Sequence, residues 1–225
     1  MSVNLFADIS TRNLLTRWFF MLVSVFMVPC LHAQEIEPLK SDLFNGHDLN
    51  GWQYLDDYWK VVDGTIVGSS YPNGLKFNTF LCTNREYANF DLEFNVRLTK
   101  NVNNSGVQIR SKLVDTTRFA VHGPQVDLAP GYWGSLFGEH FGPNKSHVML
   151  KKADAEATKK FVKENDFNKI HIVCYNKQVK ITINGHVTVD QSFPELPDKG
   201  IIAFQLHQGA AMEVVFKDIL FKELK

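Results

Sequence analysis

Phe90-Asp91-Leu92-Glu93-Phe94-Asn95-Val96-Arg97-Leu98 alternates apolar and polar residues without a fault. Successive side chains of an extended chain point to opposite faces, so this stretch reads as a strand with one dry and one wet face. The same period recurs at Lys169–Tyr175 and at Val179–Ile183, joined through an Asn176-Lys177 turn. Asn184-Gly185 is a two-residue hairpin signal, and His186–Asp190 returns as the next strand. Gly200–Gln208 and Met212–Leu224 close the chain as two more strands. Shorter strands are expected at Trp59–Val62 and Thr65–Gly68 around an Asp63-Gly64 turn, and at Phe80–Thr83, Val107–Ser111 and Gln125–Leu128. Helical periodicity is weak; a short exposed helix fits within Lys151–Glu164. Many short strands with closely spaced turns predict an all-β sandwich or jelly roll.

Composition agrees with one such domain. The chain has 225 residues, of which 44% are hydrophobic and 21% charged, which excludes disorder, collagen-like repeats and a coiled coil. Eighteen Phe and four Trp supply a sizeable core. Lys+Arg and Asp+Glu both number 24, so no global basic field exists for nucleic acid, and none is expected as a partner.

Residues 1–33 read as a secretory signal peptide. Arg12 and Arg17 form a positive start, and Trp18–Val28 is an uncharged apolar run of 11 residues. Such a run is too short to span a bilayer core of about 30 Å as a helix. Ala33 offers a small residue at the cut, which makes Gln34 the expected first residue of a domain covering 34–225. An uncleaved anchor and a lipid-modified Cys30 are the alternatives; Pro29 argues against the second. The expected destination is the periplasm or the outside of the cell. Only Cys82 and Cys174 remain in the mature chain. Export permits a disulfide between them, but their apolar strand contexts favour buried free thiols.

Three expected strands carry polar residues two positions apart, opposite apolar neighbours. They are Gln108/Arg110, Gln125/Asp127 and Gln205/His207. Side chains at that spacing share a face. If the strands share one sheet, Arg110, Gln125, Asp127 and His207 converge on a hollow suited to a hydroxyl-rich ligand. A structural Arg110–Asp127 ion pair and a solvated His207 are the bland alternatives. Asn104 and Ser105 stand at the mouth of the first strand. The segment Gly131-Tyr132-Trp133-Gly134-Ser135-Leu136-Phe137-Gly138-Glu139 follows the second, with Trp133 as a stacking platform for a sugar and Glu139 as an acid or base at the rim. Core packing is the competing role for Trp133.

At these residues the chain resembles a known family. Leu43-Phe44-Asn45-Gly46-His47-Asp48-Leu49-Asn50-Gly51-Trp52 is similar to its opening signature, and Trp59-Lys60-Val61-Val62-Asp63-Gly64 to the segment that follows. Asn104-Ser105-Gly106 with Arg110, Gly123-Pro124-Gln125-Val126-Asp127, the stretch to Glu139, Ile183-Asn184-Gly185, Gly200–His207 and Val215–Ile219 continue the likeness in order. The family is the 3-keto-disaccharide hydrolases, also described as 3-keto-glucoside 1,2-lyases and 3-keto-2-hydroxy-glucal hydratases. The likeness runs from about Leu43 to Leu224. It implies a concanavalin A-like (laminin G-like) jelly roll of two curved antiparallel sheets. Phe167, Lys217-Asp218, Phe137 and Pro124 depart from the family's usual residues, the last of them close to the expected site.

A ketone at C3 of a glucoside acidifies the hydrogen on C2 and leaves the C1 oxygen poised for β-elimination. Such chemistry needs a base over C2, donors or a cation at the enolate oxygen, and an acid for the leaving oxygen. Residue type and facing assign Asp127 or His207 as base, Arg110 and Gln125 as enolate and hydroxyl anchors, and Glu139 as acid. Gln205, Asn104, Gln108 and Trp133 are the expected sugar contacts. A sugar-oxidising oxidoreductase is the implied partner. No cofactor is required by any spacing, although Asp127, Glu139 and His207 are suitable ligands for a divalent metal. Two rivals are a β-glucanase, disfavoured because Gln125-Val126-Asp127-Leu128-Ala129 lacks the flanking carboxylates, and a non-catalytic sugar-binding module.

Overall fold

The computed structural model describes residues 42–99 and 104–225. The expected signal peptide at 1–33 and Asn103 lie outside the described residues. Fourteen strands follow in order: β1 (Trp52–Gln53), β2 (Trp59–Val62), β3 (Thr65–Ser69), β4 (Thr79–Thr83), β5 (Phe90–Thr99), β6 (Ser105–Asp115), β7 (Ala120–Leu128), β8 (Leu136–Glu139), β9 (Val148–Lys151), β10 (Asn168–Tyr175), β11 (Gln178–Ile183), β12 (His186–Ser192), β13 (Ile201–Leu206) and β14 (Glu213–Glu223). A single helical turn, α1 (Ala155–Thr158), falls inside the expected exposed segment and is capped by Asp154 Oδ1, which accepts from the N–H groups of Glu156 and Ala157.

The strands form two antiparallel seven-stranded sheets. The first has the order β1-β4-β13-β6-β7-β8-β9, the second β12-β11-β10-β5-β14-β3-β2. Together they make the all-β sandwich expected from the alternation. The turns read from sequence form as predicted: Asp63-Gly64 has φ of 47° and 73°, and Asn184-Gly185 has φ of 49° and 85°. Both positions are left-handed, which matches the twist of a two-residue hairpin and favours Asn, Asp and Gly.

The core lies between the sheets. Leu81, Val107, Ile109, Val126, Leu128, Phe204 and Leu206 of the first sheet meet Leu92, Phe94, Val96, Ile170, Ile172, Ile181 and Phe216 of the second. Phe204 stacks on Phe216 with centroids 4.3 Å apart. Burying side chains of this size contributes roughly 1.5–3 kcal/mol each.

The outer faces of the two sheets differ in kind. That of the second sheet is an ordinary wet face, laddered with exposed pairs such as Lys169–Glu93 at 2.7 Å and His171–Asp91 at 2.8 Å. That of the first sheet carries Gln108, Gln125, Asp127 and Gln205, all buried. Beside them a small second cluster of Phe80, Cys82, Val121, Ile201 and Ala203 is also buried. Polar groups buried on an outer face need partners or a purpose.

Candidate functional site

Strand register aligns the polar row. Cys82 pairs with Ala203, Ala203 with Gln108, Gln108 with Gln125, Gln125 with Phe137 and Phe137 with Met149, so one line of side chains crosses the outer face. The amides of Gln108 and Gln125 meet at 3.0 Å. Gln125 Nε2 in turn donates to Asp127 Oδ1 at 2.9 Å and reaches Gln205 Oε1 at 3.5 Å. Gly106, opposite Asp127, makes room for this chain: a Cβ there would lie 2.6 Å from Gln125 Nε2. The glycine therefore serves close side-chain approach rather than a turn.

A cavity of about 620 Å³ opens above the row. Asn104, Gln125, Asp127, Glu139, Gln205 and His207 line it, as the sequence led us to expect. Phe77, Asn78, Tyr132, His122, His140 and His147 also line it. Asn78 ties two walls together. Its Oδ1 accepts from the Gln208 N–H at 2.9 Å, and its Nδ2 donates to Glu139 Oε1 at 3.4 Å. His207 Nδ1 lies 2.5 Å from the Gln208 carbonyl, which can only accept, so the ring proton sits on Nδ1 and Nε2 is free. Arg118 stands at the rim, held 3.0 Å from Asp115 Oδ2 and over the ring of Phe77.

Burial pushes the Asp127 carboxyl up to about 7; the Gln125 hydrogen bond opposes this and the nearby Glu139 charge adds to it. A carboxyl titrating near neutral pH is suited to take or give a proton. Burial, then the neighbouring His140, Lys145 and His147, hold His122 below the usual imidazole range.

Three expected site residues do not reach the cavity. Arg110 breaks the alternation: it takes φ of 46° in a bulge where the β6–β7 register slips between Gln108 and Lys112. Its guanidinium turns away to bond Ala88 O at 2.5 Å, Pro197 O and Asn89 Oδ1 at 3.0 Å each, and Asn176 O. It is neither an enolate anchor nor the partner of Asp127. Gln108 is fully buried beneath Gln125 and supports that amide instead of meeting a ligand. Trp133 belongs to the inter-sheet core and borders a separate cavity of about 400 Å³ with Leu98 and Val162. Its neighbour Tyr132 is the exposed aromatic at the main cavity.

The histidines were the residues sequence reasoning missed. His122, His140 and His147 pack in succession with their rings tilted, centroids 4.5 Å and 4.1 Å apart. Glu139, His140 and His147 each present a possible metal-ligand atom, all within 4.8 Å of one another. This differs from the Asp127, Glu139 and His207 set considered from sequence. The Glu139-His140 pair was a usable signal; the return of His147 through the loop after β8 was not.

The profile of the 3-keto-alpha-glucoside-1,2-lyase-like domain matches residues 40–222. No curated protein matches the chain. Among solved structures, a provisional glycosyl hydrolase of Parabacteroides distasonis superposes with a TM-score of 0.60 at 20% identity, covering 81% of this chain and 93% of that one. The carbohydrate-binding module CBM66 of Bacillus subtilis gives 0.56 at 15% identity, covering 77% and 96%. Alginate lyase AlyC3 gives 0.50 at 11% identity, covering 82% and 94%. At these identities the likeness is one of fold.

Proposed function

The chain belongs to the 3-keto-alpha-glucoside-1,2-lyase-like domain family, and from that premise we propose that it cleaves 3-keto-glucosides and 3-keto-disaccharides by elimination across C1–C2, followed by hydration of the resulting glucal. The observation that carries the reading is the single cavity into which Asp127, Gln125, Gln205, His207 and Asn104 converge.

Asp127 is the base. Its carboxylate takes H2, the electron pair shifts to form the C2–C3 enolate, and the enolate then re-forms the ketone while the C1–O bond breaks. The carboxyl's raised proton affinity brings it closer to that of the carbon acid than an ordinary aspartate. His207 Nε2, which carries no proton in this tautomer, accepts from a sugar hydroxyl, and a water molecule gives the proton to the departing oxygen. Glu139, expected as the acid, is instead held between Asn78 and two imidazoles. Gln125, Gln205 and Asn104 donate to and accept from sugar hydroxyls. Water adds to the glucal in the second step, with Asp127, now protonated, returning its proton. A leader at 1–33, expected from sequence, would put this chemistry outside the cytoplasm, downstream of a sugar oxidoreductase that makes the ketone.

The test is incubation with a panel of 3-keto disaccharides and their unoxidised parents, following glucal and monosaccharide release. Turnover of the keto sugars alone, abolished in Asp127→Asn, is the expected result. Binding of the unoxidised disaccharide with no turnover of its keto form would instead establish a sugar-binding module.

A further inference from the structure

We propose that Glu139, His140 and His147 form a binding site for a divalent first-row transition-metal cation at the wall of the cavity. One carboxylate and two imidazoles, their donor atoms all within 4.8 Å, are the ligand set of open catalytic zinc and iron sites.

Three features of the chain support this. Glu139 is 8% exposed, yet among the described residues no lysine or arginine forms an ion pair with it. Buried carboxylates are normally paired with a cation or bound to a metal. Asp127, 9% exposed in the same cavity, adds a second carboxyl and no countercharge. The backbone then brings the ligands to one side. Consecutive residues of an extended strand point oppositely, but His140 takes φ of 45° directly after β8 and turns its ring back beside Glu139. Finally, the His140 tautomer is set. Nδ1 lies 2.9 Å from the Lys145 carbonyl, so Nδ1 carries the proton and the Nε2 lone pair is free for a metal. A backbone carbonyl on the other nitrogen is the usual support of a ligating histidine.

Three protein ligands, with His147 Nδ1 exchanging its long 3.4 Å contact from the His140 N–H for the metal, would leave coordination positions open to a further ligand. Resting on the elimination reading above, these positions would take the C3 oxygen, supplying the positive charge that Arg110, turned away, does not. Glu139 is then a ligand and not a proton donor.

The full chain, stripped with chelator, is titrated with Zn²⁺ by calorimetry and with Co²⁺ by visible absorption. One equivalent is expected, with tetrahedral or five-coordinate cobalt bands. Glu139→Gln, His140→Asn and His147→Gln should each weaken binding about 100-fold or more. His186→Asn, whose ring stacks on Phe161 far along the chain, should leave binding unchanged. The wild-type cobalt spectrum needs no variant to fold. Absence of a cobalt band and of a zinc isotherm in the wild-type chain overturns the site, and so does equal weakening by His186→Asn. Turnover of keto sugars persisting in chelator would overturn the metal's place in the reaction while leaving the elimination intact. Stoichiometric zinc binding without any keto-sugar turnover would establish the site and sink the elimination instead.

Discussion

Arg110 Nη2 donates to Asn89 Oδ1 at 3.0 Å, and that same oxygen accepts the backbone N–H of Asn176 at 2.8 Å. The guanidinium thereby ties β6 of the first sheet to the start of β5 and the β10–β11 turn of the second. It is a clamp between sheets. Arg110→Met should lower stability by about 3 kcal/mol or more, because the carbonyls of Ala88, Asn176 and Pro197 lose their donor. Arg110→Lys should recover little, since a single ammonium cannot span the fork. Urea denaturation checks the loss; KM for a keto sugar should stay near wild type in whatever fraction folds. A stable Arg110→Met with impaired binding would restore the arginine to the site.

Asp127 makes stability depend on pH in a predictable sense. Its carboxyl is raised from 3.8 to about 7 in the fold, so the native state holds a proton that the unfolded chain has released. Stability is full below pH 4 and is lost as pH rises through 7. The shift corresponds to a ceiling on the order of 4 kcal/mol. Asp127→Asn, which keeps an acceptor for Gln125, should match wild type near pH 4 and exceed it by about 1–3 kcal/mol at pH 8. Denaturation curves at both pH values, run in chelator, decide the matter; an equal difference at the two would place the carboxylate in water.

Tyr132, not Trp133, is the expected sugar platform. Tyr132 is 43% exposed, lines the main cavity and carries Lys152 Nζ 4.9 Å from its ring centre. Stacking worth about 1 kcal/mol predicts that Tyr132→Ala raises KM roughly 5-fold with little change in thermal stability. Trp133→Phe should do the reverse, costing stability and sparing KM. Steady-state kinetics beside melting curves separate the two.

Thiol counting tests both the core and the leader. Cys82 and Cys174 are free and buried, and burial pushes their thiols up to about 12 and about 11. Neither should react with a thiol reagent in native protein. On denaturation, two thiols per chain should appear in exported protein, and three where Cys30 has been retained with residues 1–33. A rapidly reacting native thiol would contradict the packing.

The fold was legible because its evidence is periodic. Alternation at Phe90–Leu98 and the Asn184-Gly185 turn each carry their meaning within a few residues. The site was legible only where alternation held. Gln125, Asp127 and Gln205 keep step with their strands, His207 follows directly on the end of β13, and all four line the cavity. Arg110 does not, because a bulge resets the face and no local residue announces it; the constraint lies in Gly200, where a Cβ would lie 2.5 Å from the Arg110 carbonyl oxygen. The Leu136–Glu139 strand shows no period of two, because Leu136 and Phe137 are both apolar and Gly138 has no side chain. His140 and His147 come together through a loop that folds back with left-handed residues Asn144 and Lys145, a path set by backbone conformation and invisible to pattern.

Because the inter-sheet core and the polar cavity occupy opposite sides of the same strands, neighbouring codons serve separate ends. Positions 125, 127 and 205 face the cavity, while 126, 128 and 206 face packing. A combinatorial library confined to positions 125 and 205 would explore new ligand preferences on an unaltered inter-sheet core, so selectivity in this protein should be far easier to evolve than heat tolerance.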